Sequence, residues 1–253
     1  MKLLKECFLA LACVLLSLTA AAQDQMPCDS VHNLYYRQIN IPGCDNVRDV
    51  GGYPTADGRM TRRGLLYRGS EMTGIKEEGH TLNITDEGKR ILLEDLKIHS
   101  DVDLRGDYQC PEGWASPLGP SVKYARFQIG AYIGAFIFDG HIKYAECFKY
   151  LSHKENYPVY IHCFGGADRT GTVCFLLQML LGVSYEDAIW DYELTSLTRF
   201  GHRGRNDNPG FKNFWDLFVL LPGKTLQEKA EAYMDAIGLT KEEIESLKSI
   251  FLD

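Results

Sequence analysis

The run His162-Cys163-Phe164-Gly165-Gly166-Ala167-Asp168-Arg169-Thr170-Gly171 constrains this chain more than any other feature, because it joins two apolar segments of different character. Before it, Pro158-Val159-Tyr160-Ile161 is short, β-branched and aromatic, the composition of a buried strand. After it, residues 170–181 are almost wholly apolar and close at Gly182, a residue that helix C-termini favour. A chain built this way places a loop between the carboxyl end of a strand and the first turn of a buried helix. Unsatisfied N–H groups and the positive end of the helix dipole favour an anion there. Gly165 and Gly166 allow turns in which successive amides converge on that anion.

The same field favours a thiolate at Cys163, whose free value would lie near about 8.5. Arg169, six positions on, offers a planar fork that binds two oxygens of one tetrahedral anion. The pattern therefore predicts attack of Cys163 on the phosphorus of a phosphate ester, forming a thiophosphate that water then hydrolyses. Arg169 and the loop from Phe164 through Gly165, Gly166, Ala167 and Asp168 would bind the phosphate and stabilise charge on its equatorial oxygens. Thr170 would donate to the sulfur, and His162 would orient the cysteine through its backbone. The leaving alkoxide needs a proton. Asp168 is the nearest candidate acid, with Asp107 in reserve; the alternative for Asp168 is a local bond to loop amides. No step calls for a metal or a cofactor, and no Cys-x2-Cys pair suggests zinc. A buried structural cysteine beside an unrelated arginine is the competing explanation. The flanking His, the two inner glycines and the Thr-Gly after the arginine weigh against it.

Elsewhere the pattern alternates. Residues 85–98 read as a helix with Leu92 and Leu96 on one face, and 100–104 and 122–127 as strands. Ile142, Ala145, Phe148 and Leu151 mark another helix. This order predicts one α/β domain with a mostly parallel central sheet flanked by helices and a helical C-terminal region. Residues 24–62 read as an irregular arm, and Asp103, Arg105 and Asp107 as ending near the loop or forming a structural ion pair. Ser184 with Asp187, Thr225 with Glu228 and Thr240 with Glu243 are capping patterns, and Gly238 is a helix stop. The apolar stretch 211–221 suits core, or alternatively a mobile lid. Arg199, His202, Arg203 and Arg205 form either a solvated loop or a substrate-facing rim.

Lys2 and Lys5 precede an apolar run over residues 8–18, and Thr19-Ala20-Ala21-Ala22 offers a cleavage site before Gln23. Residues 1–22 are thus read as a signal peptide and 23–253 as the catalytic domain, exported to a periplasm or beyond the cell. The apolar run is too short for a membrane span. The chain carries net charge −7 and its leader is basic, so the remainder has no general field for nucleic acid or anionic lipid. In an oxidising compartment Cys28 and Cys44 could pair, whereas Cys147 and Cys174 read as buried hydrophobes.

The loop resembles the signature of cysteine-dependent tyrosine phosphatases, and more narrowly the bacterial and fungal branch with a His-Cys-x-x-Gly-Lys-Asp-Arg-Thr-Gly loop. Asn46-Val47-Arg48-Asp49-Val50-Gly51-Gly52-Tyr53 is similar to that branch's early segment, and Gly64-Leu65-Leu66-Tyr67-Arg68-Gly69-Ser70 to its next block. Val102-Asp103-Leu104-Arg105, Asp191-Tyr192-Glu193-Leu194-Thr195-Ser196 and the ending from Tyr233 to Leu247 also match in order. Ala167 departs from the family lysine, which the resemblance implies in gripping additional phosphates of phosphoinositides. The implied substrates are phosphotyrosine, phosphoserine or phosphothreonine on proteins, or alternatively inositol phosphates and phosphoinositides. A phosphate-binding module without activity is the alternative of a different class.

Overall fold

A computed structural model describes residues 37–74, 83–109 and 115–253. The signal-peptide segment, Cys28 and Cys110 lie outside the described residues. Among the described residues five strands form one sheet: β1 (Arg48–Asp49), β2 (Leu66–Gly69), β3 (Ser100–Asp103), β4 (Lys123–Arg126) and β5 (Val159–His162), in the order β1-β2-β5-β3-β4. Only the β1–β2 pair is antiparallel. β5 is buried along its whole length and sits between two parallel neighbours, as a continuous apolar strand should. Its register aligns Gly69, His162 and Asp103 at one end of the sheet.

The helices among the described residues are α1 (Asp86–Arg90), α2 (Phe138–Leu151), α3 (Asp168–Leu180), α4 (Tyr185–Glu193), α5 (Pro209–Phe218), α6 (Leu226–Ala236) and α7 (Lys241–Phe251). α3 is buried on every side from Thr170 onward, the property of a central helix whose sequence is apolar all round. Gly182, at φ 78°, follows its end. Ser184 caps α4, and full capping boxes open α6 at Thr225 and α7 at Thr240. Each box satisfies two otherwise orphaned amides at a helix start.

Three expectations need revision. The helix expected over 85–98 is α1 followed by a widened turn over Ile91–Asp95, which buries Leu92 but leaves Leu96 half-exposed. In α2, Ala145, Phe148 and Leu151 are buried while Ile142 faces solvent. The arm over 24–62, within its described part, contributes β1, and β2 follows it as a strand that hydrophobic patterning does not single out. Arg68 breaks that pattern, yet it is buried.

The stretch 211–221 is core over α5. Phe211, Phe214 and Phe218 are buried, and the ring of Phe175 on α3 meets Phe211, Phe214, Trp215 and Phe218 edge-on at 5.4–6.2 Å between centroids. Edge-to-face contacts of this kind add to simple area burial. Asn208 caps the helix and Pro209 opens it. Cys147 and Cys174 are buried free thiols on α2 and α3, and burial pushes the Cys174 thiol up to about 11. Cys44 forms no disulfide with another described cysteine.

Candidate active site

The loop 163–167 leaves β5 and enters α3. Its shape is set from behind. Gly166 has φ 62°, and a Cβ there would lie 2.2 Å from the carbonyl oxygen of Gly69, so no side chain fits. A Cβ on Gly165 would lie 2.8 Å from the ring of Phe200. The loop carbonyls are tied away from the centre: Phe164 O accepts from the Glu71 amide at 3.0 Å, Gly165 O from Asn46 Nδ2 at 2.9 Å, and Gly166 O from Arg68 Nη2 at 2.8 Å. In a trans peptide the next N–H points opposite the carbonyl, so these three bonds turn the amides of residues 165–167 inward.

Asp191 on α4 holds this scaffold together. Its carboxylate, wholly buried, accepts from Arg48 Nε at 3.0 Å and Arg68 Nη1 at 2.6 Å, with the Tyr53 hydroxyl at 3.3 Å. Burial opposes its ionisation, but the two guanidinium groups outweigh that and hold it below the usual carboxylate range. Neither Asp191 nor Arg68 stands out in the sequence as part of a site, because their partners are remote in the chain.

Cys163 is 2% exposed. Desolvation would raise its pKa, yet the Arg169 charge and the Thr170 hydroxyl and amide outweigh it and hold the thiol below its ordinary value. The Thr170 hydroxyl is buried and has no hydrogen-bond partner among the described residues, so its proton is available to a thiolate at Cys163. His162 is buried behind the cysteine, its Nε2 3.0 Å from Asp101 Oδ1 and its Nδ1 3.3 Å from the Cys163 carbonyl. Desolvation works against its charge, but Asp103 and Asp101 prevail and raise its pKa.

Arg169 Nη1 donates to Gln109 Oε1 at 2.7 Å and to the Leu104 carbonyl at 3.4 Å. Asp168 opens α3. Its carboxylate accepts from the Tyr132 hydroxyl and from a fork of Arg203, Nε at 2.7 Å and Nη2 at 3.2 Å. Tyr132 adopts φ 55°, uncommon for a residue with a side chain, and its hydroxyl also meets Tyr192 at 2.6 Å and Asn208 at 2.9 Å. A cavity of about 310 Å³ is lined by residues 163–165 and 167–169 together with Gln109, Arg199, Phe200 and Arg203.

The cavity therefore gathers Cys163, Phe164, Gly165, Ala167, Asp168 and Arg169, with Thr170 and His162 buried behind them. Asp107 is elsewhere: it is exposed and paired with Arg126 at 2.5 Å, and it does not line the cavity. Asp103 and Arg105 form a buried pair at 2.7 Å. The basic cluster divides. Arg199 and Arg203 line the cavity, whereas Arg205 pairs with Glu186 and Glu193, and exposed His202 pairs with Asp207. Gln109, Phe200 and Tyr132 escape a reading of the sequence because only the fold brings them to the loop. Among the described residues no group of three or more His, Cys, Asp or Glu side chains is placed to hold a metal ion, and no helix is long and apolar enough to cross a membrane.

A comparison with curated proteins finds no match. Among solved structures, the chain is similar to the core catalytic domain of the PP-IP phosphatase SIW14 from S. cerevisiae in complex with citrate, at 18% identity and a TM-score of 0.42, over 63% of this chain and 79% of that one. The model of the tyrosine phosphatase family matches residues 39–253, from the first described segment to the last residue. That span includes every strand and helix that shapes the loop, and the chain belongs to the tyrosine phosphatase family.

Proposed function

We propose that this phosphatase hydrolyses phosphotyrosine through a cysteinyl-phosphate intermediate, with activity on phosphoserine or phosphothreonine in second place. One observation carries the reading: a buried thiol held below its ordinary pKa in a cavity that also holds a guanidinium and a carboxylate. Cys163 attacks phosphorus as the ester P–O bond breaks. Asp168 gives its proton to the departing oxygen, and its carboxylate then takes a proton from the water that cleaves the S–P bond. Arg169, released from Gln109, and the inward amides bind the equatorial oxygens. The depth of Cys163 and the rings of Phe164 and Phe200, 5.9 Å apart at 73°, suit a long, flat aryl phosphate.

A second reading, an inositol phosphate or phosphoinositide phosphatase, is favoured by Arg199 and Arg203 on the cavity lining. Ala167 counts against it. A panel at one pH decides between them: phosphotyrosine peptides should turn over at least tenfold faster than phosphoserine peptides, inositol phosphates or phosphoinositides. Cys163→Ser should abolish turnover while still binding the phosphopeptide. Equal turnover by the native and serine forms would instead mark a phosphate-binding module without activity. We infer export from the leader pattern, and N-terminal sequencing of the exported protein should begin at Gln23.

A further inference from the structure

Asp168 poses a problem for the chemistry just described. A general acid must hold a proton, yet the described side chains bonded to this carboxylate are all donors to it. Arg203 meets it with two N–H groups, Tyr132 donates to it, and it lies in the first turn of α3, at the positive end of the helix. Tyr192 and Asn208 reach it only through the Tyr132 hydroxyl. The remaining charged groups on the cavity wall are Cys163, Arg169 and Arg199. Of the described donors on Asp168, Arg203 alone is both a cation and part of the cavity lining.

We propose that Arg203 is a positioning residue shared between Asp168 and the substrate, which passes from the carboxylate to the incoming phosphate and so frees Asp168 to carry the proton for the leaving oxygen. Arg203 Nη1 is anchored by the carbonyls of Phe200 and His202, at 3.2 and 2.9 Å. The opposite edge, Nε and Nη2, is the one that faces Asp168 and can transfer to a phosphate oxygen without unseating the loop. Its side chain is only 23% exposed, so it has little water to replace either partner. Once the guanidinium has moved, Asp168 faces a phosphate dianion with no cation of its own, and the carboxylate takes up one proton, from solvent or from a substrate that arrives as the monoanion. That proton leaves with the ester oxygen as the S–P bond forms. The renewed carboxylate takes a proton from the water that cleaves the S–P bond, and it releases that proton to solvent as the phosphate departs and Arg203 returns. The device rests on the thiolate mechanism above, and its test separates the two.

The measurement is the pH profile of kcat/KM and kcat for phenyl phosphate, whose leaving group needs a proton, and for 4-nitrophenyl phosphate, whose leaving group needs it less. The variants are Arg203→Met, Arg203→Lys, Asp168→Asn, the double Asp168→Asn/Arg203→Met, and Arg205→Ala as the control from the same loop. Arg203→Met should move the basic limb of kcat/KM for phenyl phosphate upward by about one pH unit, the low end of what a neighbouring opposite charge does to a carboxylate. It should raise KM about tenfold, the loss of one charge-assisted bond, with little change in kcat below the limb. Arg203→Lys should return the limb toward its native position. Asp168→Asn should remove the limb, and adding Arg203→Met should then change KM alone. If Asp168→Asn removes the limb but neither Arg203 variant moves it, the sharing device is wrong and the mechanism stands. If Asp168→Asn leaves the limb in place, the acid is another group and the device falls with that assignment. Should Arg203→Met fail to fold, Arg203→Gln takes its place, and an unmoved limb with unaltered KM in that variant would overturn the proposal.

Discussion

At the scale of single residues, the decisive contest is over one sulfur. Burial alone pushes a thiol upward, as it does at Cys174, which lies deep in α3, the helix that the Cys163 loop enters, and rises to about 11. Cys163 moves the other way because Arg169, the Thr170 hydroxyl and the Thr170 amide together exceed the desolvation penalty. The hydroxyl is the most separable of the three, since it has no other polar partner among the described residues and valine has the same shape. Thr170→Val should raise the pH midpoint for alkylation of Cys163 by iodoacetamide by about one unit, the worth of a hydrogen bond to a charged group. Turnover should fall about tenfold, with KM nearly unchanged. An unaltered alkylation midpoint would show that the hydroxyl does not reach the thiolate.

At the scale of elements, the loop is held by parts of the chain that arrive from far apart. β1 brings Arg48, the segment before it Asn46, β2 Arg68, and α4 the carboxylate that binds both arginines. Replacing Asp191 by Ala leaves two buried guanidinium groups without their anion. Removal of one partner from a buried pair typically costs about 3–5 kcal/mol. The urea midpoint should fall accordingly, and activity should fall further than stability explains, because Arg68 also fixes the Gly166 carbonyl. This arrangement marks where sequence reading succeeds and where it stops. β5, the loop and α3 are legible because apolar runs, paired glycines and a helix stop are local signals. The parallel sheet follows from their alternation with helices. β2 is not legible by hydrophobic period, since its central arginine looks like a surface residue until a carboxylate 123 positions away neutralises it. The resemblance of residues 46–53, 64–70 and 191–196 to family blocks does register these segments, but the physical reason, one buried charge cluster, is visible only in three dimensions. Asp107 illustrates the complementary limit: proximity to a strand end in sequence does not fix which way a short turn carries the side chain, and here it carries it to Arg126.

At the scale of the whole molecule, a second buried network runs beneath the active-site end of the sheet, and its titration shapes how stability depends on pH. Arg105 joins Glu71 at 3.0 Å to Asp103 at 2.7 Å, and Asp103 with Asp101 flanks His162. The members pull in different directions. Asp103 is held low: burial works against its charge, but His162 and Arg105 outweigh it. Its contribution is therefore present above the unfolded carboxylate range and lost only in strong acid. His162 is raised, so its contribution is complete below about 6.5 and disappears as the pH climbs through its folded value. Glu71 is pushed from 4.5 to about 7, by burial that Arg105 only partly offsets, and its Oε1 has no partner among the described residues. A raised carboxyl binds its proton more tightly in the folded state, so stability must decline between about pH 4.5 and about pH 7 as that proton is lost. Glu71 and His162 thus act in the same sense, and the native protein should be most stable in mild acid. Glu71→Gln keeps the shape and an acceptor for Arg105 but cannot ionise. Urea denaturation at half-unit steps from pH 4.5 to 8 should show the native protein losing on the order of 2–3 kcal/mol across the lower part of that range. The Gln variant should lose much less there and keep the decline above about pH 6.5 that belongs to His162. Parallel curves for the two proteins would mean that Glu71 ionises normally in the folded state, and that Arg105, rather than burial, governs this end of the sheet.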